Sequence, residues 1–295
     1  MVTTDIRPPQ DRSHADDFEP LDVLDRAAVA DVIARVEPDV VYHLAARTDL
    51  AGTTVADYDA NVTGTHNLVA ALTRAAFPGR LVSVSSMLVC RNGYVPEHAT
   101  DYRPDTPYGE SKVEAEQAVR ASGLDWVVCR PTSIWGPWFA TPYRDFFDTV
   151  RGGRYVHPGR RDVVKAFGFV GNITQQLVAA ATEAASGSTH YVTDPHEYTV
   201  RSFADAVAAA NGRTVRTVPV GLLRLVGLGG DLAKRTGLMA APPMTSFRLR
   251  NMLTPSRFDT TEIDELVTRR YGTGRTGLAD AVAATSAWLD EQEGR

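Results

Sequence analysis

Short apolar runs alternate with segments of helical periodicity through the first half of this chain. A short strand and a helix cap are predicted over Leu21–Asp25. The segments then follow one another as helical 27–36, apolar 39–46, helical 55–76, apolar 81–85, helical 108–121 and apolar 124–129. Continuous apolar runs are typical of parallel strands that helices cover on both faces. Repeated strand-helix-strand units therefore predict an α/β protein with a doubly wound parallel sheet, whose ligands bind beyond the carboxyl ends of the strands.

One short motif predicts a proton-transfer site at that edge. Tyr108 and Lys112 are four residues apart and share one face of a helix. A tyrosine hydroxyl ordinarily titrates near pH 10, so acid-base work at neutral pH needs a nearby positive charge. Ser85 and Ser86 end an apolar run, where a hydroxyl can hydrogen-bond a reacting oxygen. Tyr-x-x-x-Lys also occurs by chance as a surface pair, and the strand before it and the Arg130-Pro131 step after it favour the functional interpretation.

Other polar residues lie at strand ends or on helices. Asp5 ends a short strand at the beginning of the sequence, where a carboxylate either binds a ribose or is solvated. His43 is interpreted as a packed residue at a strand end rather than a catalyst. Asn61 lies within a helical segment, and if it is buried it must be hydrogen-bonded.

Composition excludes several classes of protein. The chain has 295 residues, 43% of them apolar, which suffices for a large domain with an additional lobe. A net charge of -5 and scattered arginines give no reason to expect nucleic acid. Cys90 and Cys129 have no zinc-ligand spacing, so we expect no metal, no disulfide framework and a cytoplasmic protein with reduced thiols.

No targeting or membrane segment is expected. The acidic beginning of the sequence lacks an apolar signal region. The most apolar later stretch, 218–232, is too short and too interrupted to span a bilayer, so no membrane partner is expected. The regular alternation ends near residue 135. We therefore predict a doubly wound domain over 1–135, rejoined by a strand near 189–193, and a smaller lobe over 136–295.

Five segments in this order resemble the extended short-chain dehydrogenase/reductases, the NAD-dependent epimerase/dehydratase family that includes UDP-glucose 4-epimerase. The segments are Pro38–Ala46, Asn61–Thr65, Ser85-Ser86, Tyr108–Lys112 and Arg130–Pro137. The resemblance implies a Rossmann-like fold, with a dinucleotide-binding domain over 1–135 and a mainly substrate-binding lobe over 136–295. It further implies that the chain oxidises or reduces a nucleotide sugar or another small molecule with NAD. It also implies a homodimer that pairs through the helices containing Asn61 and Tyr108.

The resemblance assigns roles in catalysis. Tyr108 would be the general acid/base, and Lys112 would lower its pKa and bind the nicotinamide ribose. Ser86 would hydrogen-bond the reacting oxygen, and Asn61 would support the site. For the diphosphate of the substrate, the candidates are Lys165, Arg248 and Arg250.

It also assigns roles in cofactor binding. Asp5 would face the adenosine ribose, and its charge favours NAD over NADP, although Arg7 opposes that preference in part. The remaining implied contacts are Asp22 and Val23 with the adenine, Leu44, Ala45 and Ala46 with the diphosphate, and the segment after Pro131 with the carboxamide. Cys90 and Gly171-Asn172 depart from the residues common in relatives, which puts the usual substrate in doubt.

The first strand-turn-helix unit of the family has no counterpart in this sequence. Its strand and Gly-rich turn would precede Val2, and that strand belongs in the middle of the sheet. Omitting it predicts a gap of roughly 5 Å and unpaired backbone groups beside it. Three readings stay open: an enzyme that closes the gap, a natural start upstream of Met1, and a non-catalytic binding or regulatory protein that holds dinucleotide weakly.

Overall fold

A computed structural model describes residues 1–159, 162–195, 198–239, 242, 244–272 and 274–294. In chain order its strands are β1 (Thr3–Asp5), β2 (Phe18–Pro20), β3 (Val40–His43), β4 (Arg80–Val84), β5 (Asp125–Pro131), β6 (Ser133–Trp135), β7 (Val156–Pro158), β8 (Val164–Lys165), β9 (Phe167–Phe169), β10 (Ser188–Val192), β11 (Tyr198–Thr199) and β12 (Arg216–Val218). Its α-helices are α1 (Arg26–Val36), α2 (Asp59–Arg74), α3 (Pro107–Arg120), α4 (Tyr143–Arg151), α5 (Val170–Glu183), α6 (Val200–Ala210), α7 (Val220–Arg235), α8 (Ser246–Leu253), α9 (Thr261–Tyr271) and α10 (Leu278–Gln292).

Four parallel strands form the main sheet, in the order β10-β5-β4-β3. The α/β class with a parallel sheet is therefore confirmed. β4 and β5 lie inside the sheet, and Leu81, Val82, Val127 and Val128 are fully buried. β3 pairs with β4 alone among the described strands, and Tyr42 on it is 36% exposed. The predicted cover on both faces is therefore incomplete for β3: His43 is buried on one face, whereas Tyr42 is exposed on the other.

β1 and β2 form a separate parallel pair, with Thr3 opposite Phe18. The sequence predicted a strand within 21–25 instead. In the structure Leu21 only extends the pairing, since its N–H donates to the Asp5 carbonyl. Asp25 caps α1, as predicted, by accepting hydrogen bonds from the amides of residues 27 and 28. In the described part of the chain no ladder joins β1 to β3, which agrees with the expected gap.

α2 attaches the β1–β2 pair to the rest of the sheet region. The Asn67 side-chain amide donates to the carbonyls of Val23 and Leu24 at 3.0 and 3.2 Å. Gly64, one turn earlier, lets the backbone of α2 approach Val23: a Cβ there would lie 2.6 Å from the Val23 Cγ2. The two parts are thus held together by side chains rather than by a strand.

The chain divides into two compact units. Among the described residues, unit 1 comprises those within 1–131, 176–192 and 261–270, and unit 2 those within 132–175, 193–260 and 271–294. The division after Pro131 lies four residues before the predicted boundary at 135. β10 brings the chain back to unit 1 by pairing with β5. Arg80, at the start of β4, fixes this return by donating to the carbonyls of Ala180, Ala181 and Ala184 near the end of α5.

Unit 2 has its own aromatic core. Phe203 of α6 stacks on Phe167 with ring centroids 4.3 Å apart, and Trp135 meets Phe203 edge-on at 5.0 Å. Three two-stranded ladders surround these rings, β6–β9, β7–β12 and the antiparallel β8–β11. The aromatic residues that follow Pro137 in the sequence therefore fill a core of their own.

Candidate active site

The carboxyl ends of β3, β4 and β5 meet at one edge of the main sheet, because the strands are parallel. Ser85 and Ser86 follow β4 and are 5% and 7% exposed. Pro131 ends β5 and is buried. Ala45 and Ala46, after β3, are partly buried, whereas Leu44 is 59% exposed.

The start of α3 brings Tyr108 to this edge. Thr106 caps the helix by accepting a hydrogen bond from the Gly109 amide at 3.0 Å, and Pro107 takes the first helical position. A Cβ at Gly109 would lie 2.2 Å from the Leu88 carbonyl oxygen. Glycine therefore allows α3 to pack directly on the turn that follows Ser86.

Tyr108 is buried, and the Ser86 side chain lies close enough to its hydroxyl to influence its pKa. Burial raises the pKa of Tyr108, and the neighbouring Ser86 only partly opposes that rise. The lowering of its pKa that the family resemblance implied is therefore not seen in this structure. Its ring lies edge-on to Tyr58, with centroids 5.7 Å apart.

Lys112 lies one helical turn further along α3. Its Nζ donates to the carbonyl of Val84, the last residue of β4, at 3.0 Å. Burial lowers the pKa of Lys112 to about 8, and the Glu116 carboxylate opposes that shift. The ammonium group thus lies at the strand end beside Ser85, one turn away from the Tyr108 backbone.

His43 is packed at the end of β3, in accordance with its sequence interpretation. Its Nε2 and the Thr65 hydroxyl are 2.9 Å apart, and the imidazole is 7% exposed. Burial, together with the charge of Lys112, lowers the pKa of His43 to about 4. The ring is therefore neutral at physiological pH.

Asn61 is 1% exposed and fully hydrogen-bonded. Its Oδ1 accepts from the Arg47 amide at 2.8 Å, and its Nδ2 donates to the Arg47 carbonyl and to the Ser111 hydroxyl at 3.1 and 3.0 Å. The prediction that a buried Asn must find partners holds. The contact is direct: Asn61 joins the loop after β3 to the α3 residue preceding Lys112.

Sequence reasoning missed Tyr58. Its hydroxyl donates to the Asp49 carbonyl at 2.8 Å and accepts from the Gly52 amide at 3.1 Å. The ring thereby anchors the loop after β3 against Tyr108. Tyr58 precedes Asn61 by three residues, a spacing that places both on one helix face and was the available signal.

A buried ion pair under α3 was also missed. The Arg130 guanidinium holds the Glu116 carboxylate by two bonds, 2.9 Å from Nε to Oε1 and 2.8 Å from Nη2 to Oε2, and both residues are 1% exposed. Tyr102 adds a third bond by donating to Glu116 Oε2 at 3.0 Å. Glu116 follows Lys112 by four residues, so its place on the inner face of α3 could have been inferred from the spacing.

The proposed adenosine-binding residues lie at the other strand ends. Asp5 is exposed at the end of β1, and its Oδ1 accepts from the Arg7 amide at 2.9 Å. Asp22 is exposed and accepts from the Leu24 amide, while Val23 packs against Gly64. Each carboxylate keeps its second oxygen available in this geometry.

The three proposed phosphate-binding cations belong to unit 2. Lys165 lies on β8 opposite Tyr198, and burial lowers its pKa to about 8. Arg248 and Arg250 are exposed on α8, where Arg248 donates to the Pro242 carbonyl and Arg250 lies 5.8 Å from the Phe247 ring centroid. The structure of unit 2 therefore places a partly buried amine and two exposed guanidinium groups on different elements.

The described residues contain no candidate metal centre. No cluster of three or more His, Cys, Asp or Glu residues suited to a metal ion occurs among them. Cys90 and Cys129 are both buried thiols without a disulfide. No helix in this part of the chain is both long and apolar enough to cross a bilayer.

Comparison with known proteins identifies a family and several relatives that this chain resembles. Residues 2–192 match the NAD dependent epimerase/dehydratase family. Over 184 residues the chain is 32% identical to the 4-hydroxy-2-methyl-3-oxo-4-farnesyl-3,4-dihydroquinoline-1-oxide ketoreductase of Stigmatella aurantiaca, a match covering 59% of this chain and only 54% of that relative. It is 25% identical to the N-acetyl-alpha-D-glucosaminyl-diphospho-ditrans,octacis-undecaprenol 4-epimerase of Escherichia coli O157:H7, over 82% of this chain and 75% of the relative.

Solved structures share the fold. The Bordetella bronchiseptica enzyme WbmH, crystallised with NAD+, aligns with a TM-score of 0.70 at 21% identity over 98% of this chain and 90% of that one. The similarity shows a Rossmann-type fold, in agreement with the parallel sheet. Together with the match over 2–192, it shows that the chain belongs to the NAD-dependent epimerase/dehydratase family of enzymes.

Proposed function

We propose that this protein oxidises and reduces a secondary alcohol or ketone carbon of a nucleotide sugar, with NAD as cofactor and Tyr108 as general acid/base. The observation that carries the proposal is the position of buried Tyr108 beside Ser86 at the carboxyl edge of the sheet. Lys112 lies one helical turn away, with its ammonium on the Val84 carbonyl. The group aligns an acid, an oxygen-binding hydroxyl and a positive charge on one edge.

Tyr108 moves the proton in this proposal. In reduction, its hydroxyl donates a proton to the substrate oxygen as the carbonyl carbon gains hydride, and in oxidation the phenolate takes that proton back. Ser86 holds the same oxygen by a hydrogen bond. A tyrosine is protonated at neutral pH, and burial raises the pKa of Tyr108 further, so its hydroxyl is prepared to act first as an acid. Lys112 stabilises the negative charge that proton donation leaves on Tyr108.

The residues at the sheet edge fit a bound dinucleotide. Ser85 Oγ is a buried hydroxyl without a hydrogen-bond partner among the described residues, so a polar group of a ligand would satisfy it. NAD, when bound, supplies the acceptor or donor of hydride. Tyr108 and Lys112 would hold its nicotinamide ribose, Asp5 its adenosine ribose, and the neighbouring contacts would come from Asp22, Val23, Leu44, Ala45, Ala46 and Pro131.

The carboxylate of Asp5 supports NAD rather than NADP. A second negative charge, such as a 2′-phosphate, would be repelled at the end of β1. Arg7 follows two residues later and weakens the preference in part. Titration of the purified chain with both dinucleotides compares the two directly, and a tighter affinity for NADP would reverse this assignment.

The proposed substrate class is based on the named activities of similar proteins. One relative is named as an epimerase of a lipid-linked amino sugar diphosphate and another as a ketoreductase. Epimerisation, dehydration and ketone reduction share the proton transfer at Tyr108, so the sugar step is proposed at that common level. Lys165, Arg248 and Arg250 are the proposed partners of the substrate diphosphate. The protein is further proposed to be a cytoplasmic homodimer. Analytical ultracentrifugation of the purified protein tests whether it is a dimer.

The decisive experiment is turnover by the Tyr108→Phe variant. Purified protein is supplied with NAD and a set of UDP- and dTDP-sugars, and product and NADH are measured. We expect at least about a hundredfold loss of turnover, since a general acid/base typically contributes that much. Tyr94→Phe is the matched control, because it removes a phenol that bonds Asp101 outside the site. Full turnover by Tyr108→Phe would refute the role of Tyr108.

The amount of NAD released on denaturation distinguishes an enzyme from a non-catalytic binding protein. If the chain is a non-catalytic binding protein, denatured protein releases no stoichiometric NAD, and added NAD does not bind. The family match makes this alternative the less favoured one. Stoichiometric NAD together with sugar turnover would eliminate it.

A further inference from the structure

α7 carries large apolar side chains on its outer side. The exposed fractions are 53% for Leu222, 67% for Leu225, 47% for Val226, 60% for Leu228 and 61% for Leu232. These five residues, hereafter the leucine face, recur at helical spacing. A helix of a water-exposed surface normally turns such residues inward, and a contiguous apolar patch of this kind marks an interaction site.

The opposite side of α7 fixes this orientation. Gly227 and Gly230 pack on the chain that leads into α8: a Cβ at Gly230 would lie 2.0 Å from the Met244 carbonyl oxygen. Asp231 accepts from the Ser246 amide at 3.3 Å and so holds the two helices together. Because glycines fill the inner side, rotation of α7 cannot bury the leucine face without breaking these contacts.

The sequence around the leucine face is strongly basic. Residues 213–257 contain eight basic side chains and a single acidic one, whereas the whole chain carries -5. The basic residues are Arg213, Arg216, Arg224, Lys234, Arg235, Arg248, Arg250 and Arg257. Lys234 and Arg235 are exposed in the last turn of α7. On α8, Phe247 is 50% exposed and lies beneath the Arg250 guanidinium.

We propose that α7 and α8 dock the protein on an anionic lipid bilayer. The leucine face would lie in the boundary between headgroups and acyl chains, and the exposed Arg224, Lys234 and Arg235 of α7 would contact lipid phosphates. α7 has 16 residues, about 24 Å of helix, and would lie in the plane of the surface. This binding mode needs no spanning helix, and it goes beyond the sequence-based expectation, which was that the protein has no membrane partner.

The basic charge of this segment favours a bilayer over a second copy of the chain as the partner of the leucine face. A two-fold dimer through the leucine face would bring two basic segments together, and their like charges oppose that contact. An anionic bilayer attracts them instead, by about fivefold in affinity for each basic residue at the surface. The inference depends on unit 2 alone and is independent of the proposed oxidoreductase activity.

Vesicle flotation of the full chain tests the proposal. Wild-type protein is mixed with vesicles of phosphatidylcholine alone or with one third phosphatidylglycerol, at 0.1 and 0.5 M salt. We expect flotation with the anionic vesicles at low salt and a clear loss at high salt, because screening weakens the attraction. The double variant Leu225→Gln/Leu232→Gln should lose at least about tenfold in partitioning, and Lys234→Gln/Arg235→Gln a similar amount.

A matched control removes an exposed apolar side chain elsewhere. Val95 in unit 1 is 72% exposed, and Val95→Gln should float like the wild type. Circular dichroism melting of every variant verifies folding. Absence of wild-type flotation overturns the proposal, and so does undiminished flotation of the leucine variant. Self-association that the leucine variant abolishes, without vesicle binding, would identify the face as an interface between copies and equally overturn it.

Discussion

His43 and Lys112 lie at the same buried strand ends. Two positive charges there would repel each other and would both lose hydration. Lys112 keeps a carbonyl partner at Val84, while His43 has a hydroxyl partner in Thr65. Burial lowers both pKa values, to about 4 for His43 and about 8 for Lys112. At neutral pH the site therefore holds a charged lysine beside a neutral imidazole.

The burial of His43 predicts that the free energy of unfolding decreases at acidic pH. The unfolded imidazole titrates near 6.5 and the folded one near 4, so between these values only the unfolded chain binds the proton. Stability consequently falls as pH drops from 6.5 to 4, by about 3 kcal/mol at most. His43→Gln should remove this component from urea unfolding curves measured across that range. His66→Gln, on the exposed side of α2, should retain it, and equal slopes in both variants would contradict the assignment.

At the residue scale, the sequence identified the groups but not their electrostatics. Ser86 and Tyr108 are neighbours in the structure, and buried Asn61 bonds Ser111, the residue before Lys112, as their motifs suggested. The direction of the Tyr108 pKa shift was not predictable, because it depends on burial by Tyr58 and on how Lys112 is held. Those contacts join residues distant in sequence, which spacing rules do not address.

At the scale of elements, the approach of α3 to the turn after Ser86 depends on Gly109. Gly109→Ala would place a methyl group 2.2 Å from the Leu88 carbonyl, so α3 must shift, at a cost of about 1–3 kcal/mol. Gly221→Ala is the control, since a Cβ there meets nothing within 4 Å and alanine favours a helix. Thermal unfolding should show loss for the first variant and none for the second. Comparable melting of the two would disprove the close-packing explanation.

A second element-scale prediction concerns the pair beneath α3. Glu116→Gln leaves the buried Arg130 guanidinium without its countercharge, and we expect about 3 kcal/mol less stability in urea unfolding. Asp205→Asn breaks the half-exposed Arg201–Asp205 pair of α6 and should cost no more than about 0.5 kcal/mol. If the two substitutions prove equally mild, the Glu116–Arg130 pair does not anchor α3.

Helices and buried strands were easier to predict than β2. Apolar runs gave β4 and β5, and caps such as Asp25 marked helix starts. β2 is three residues long, and its place is set by pairing with β1, whose register a local pattern does not contain. Residues 21–25, predicted as that strand, instead form the Asp22 turn and the cap of α1.

For the whole molecule, the separation of β1–β2 from the main sheet predicts unequal local stability. β4 is hydrogen-bonded on both sides, whereas β1 is paired on one side in the described part of the chain. Amide hydrogen exchange followed by mass spectrometry should show peptides of β4 protected at least about a hundredfold more than those of β1. Equal protection of both peptides would show that the pair opens only with the whole unit.

The return of the chain to unit 1 through β10 has a consequence for synthesis on the ribosome. β5 obtains its second neighbour only from Ser188–Val192, and Arg80 finds its carbonyl partners only at the end of α5. Much of unit 2 is therefore translated while the main sheet still has an open side. Unit 1 cannot fold to completion as a nascent N-terminal domain, and an exposed β5 edge must be tolerated or shielded until residue 192 has emerged.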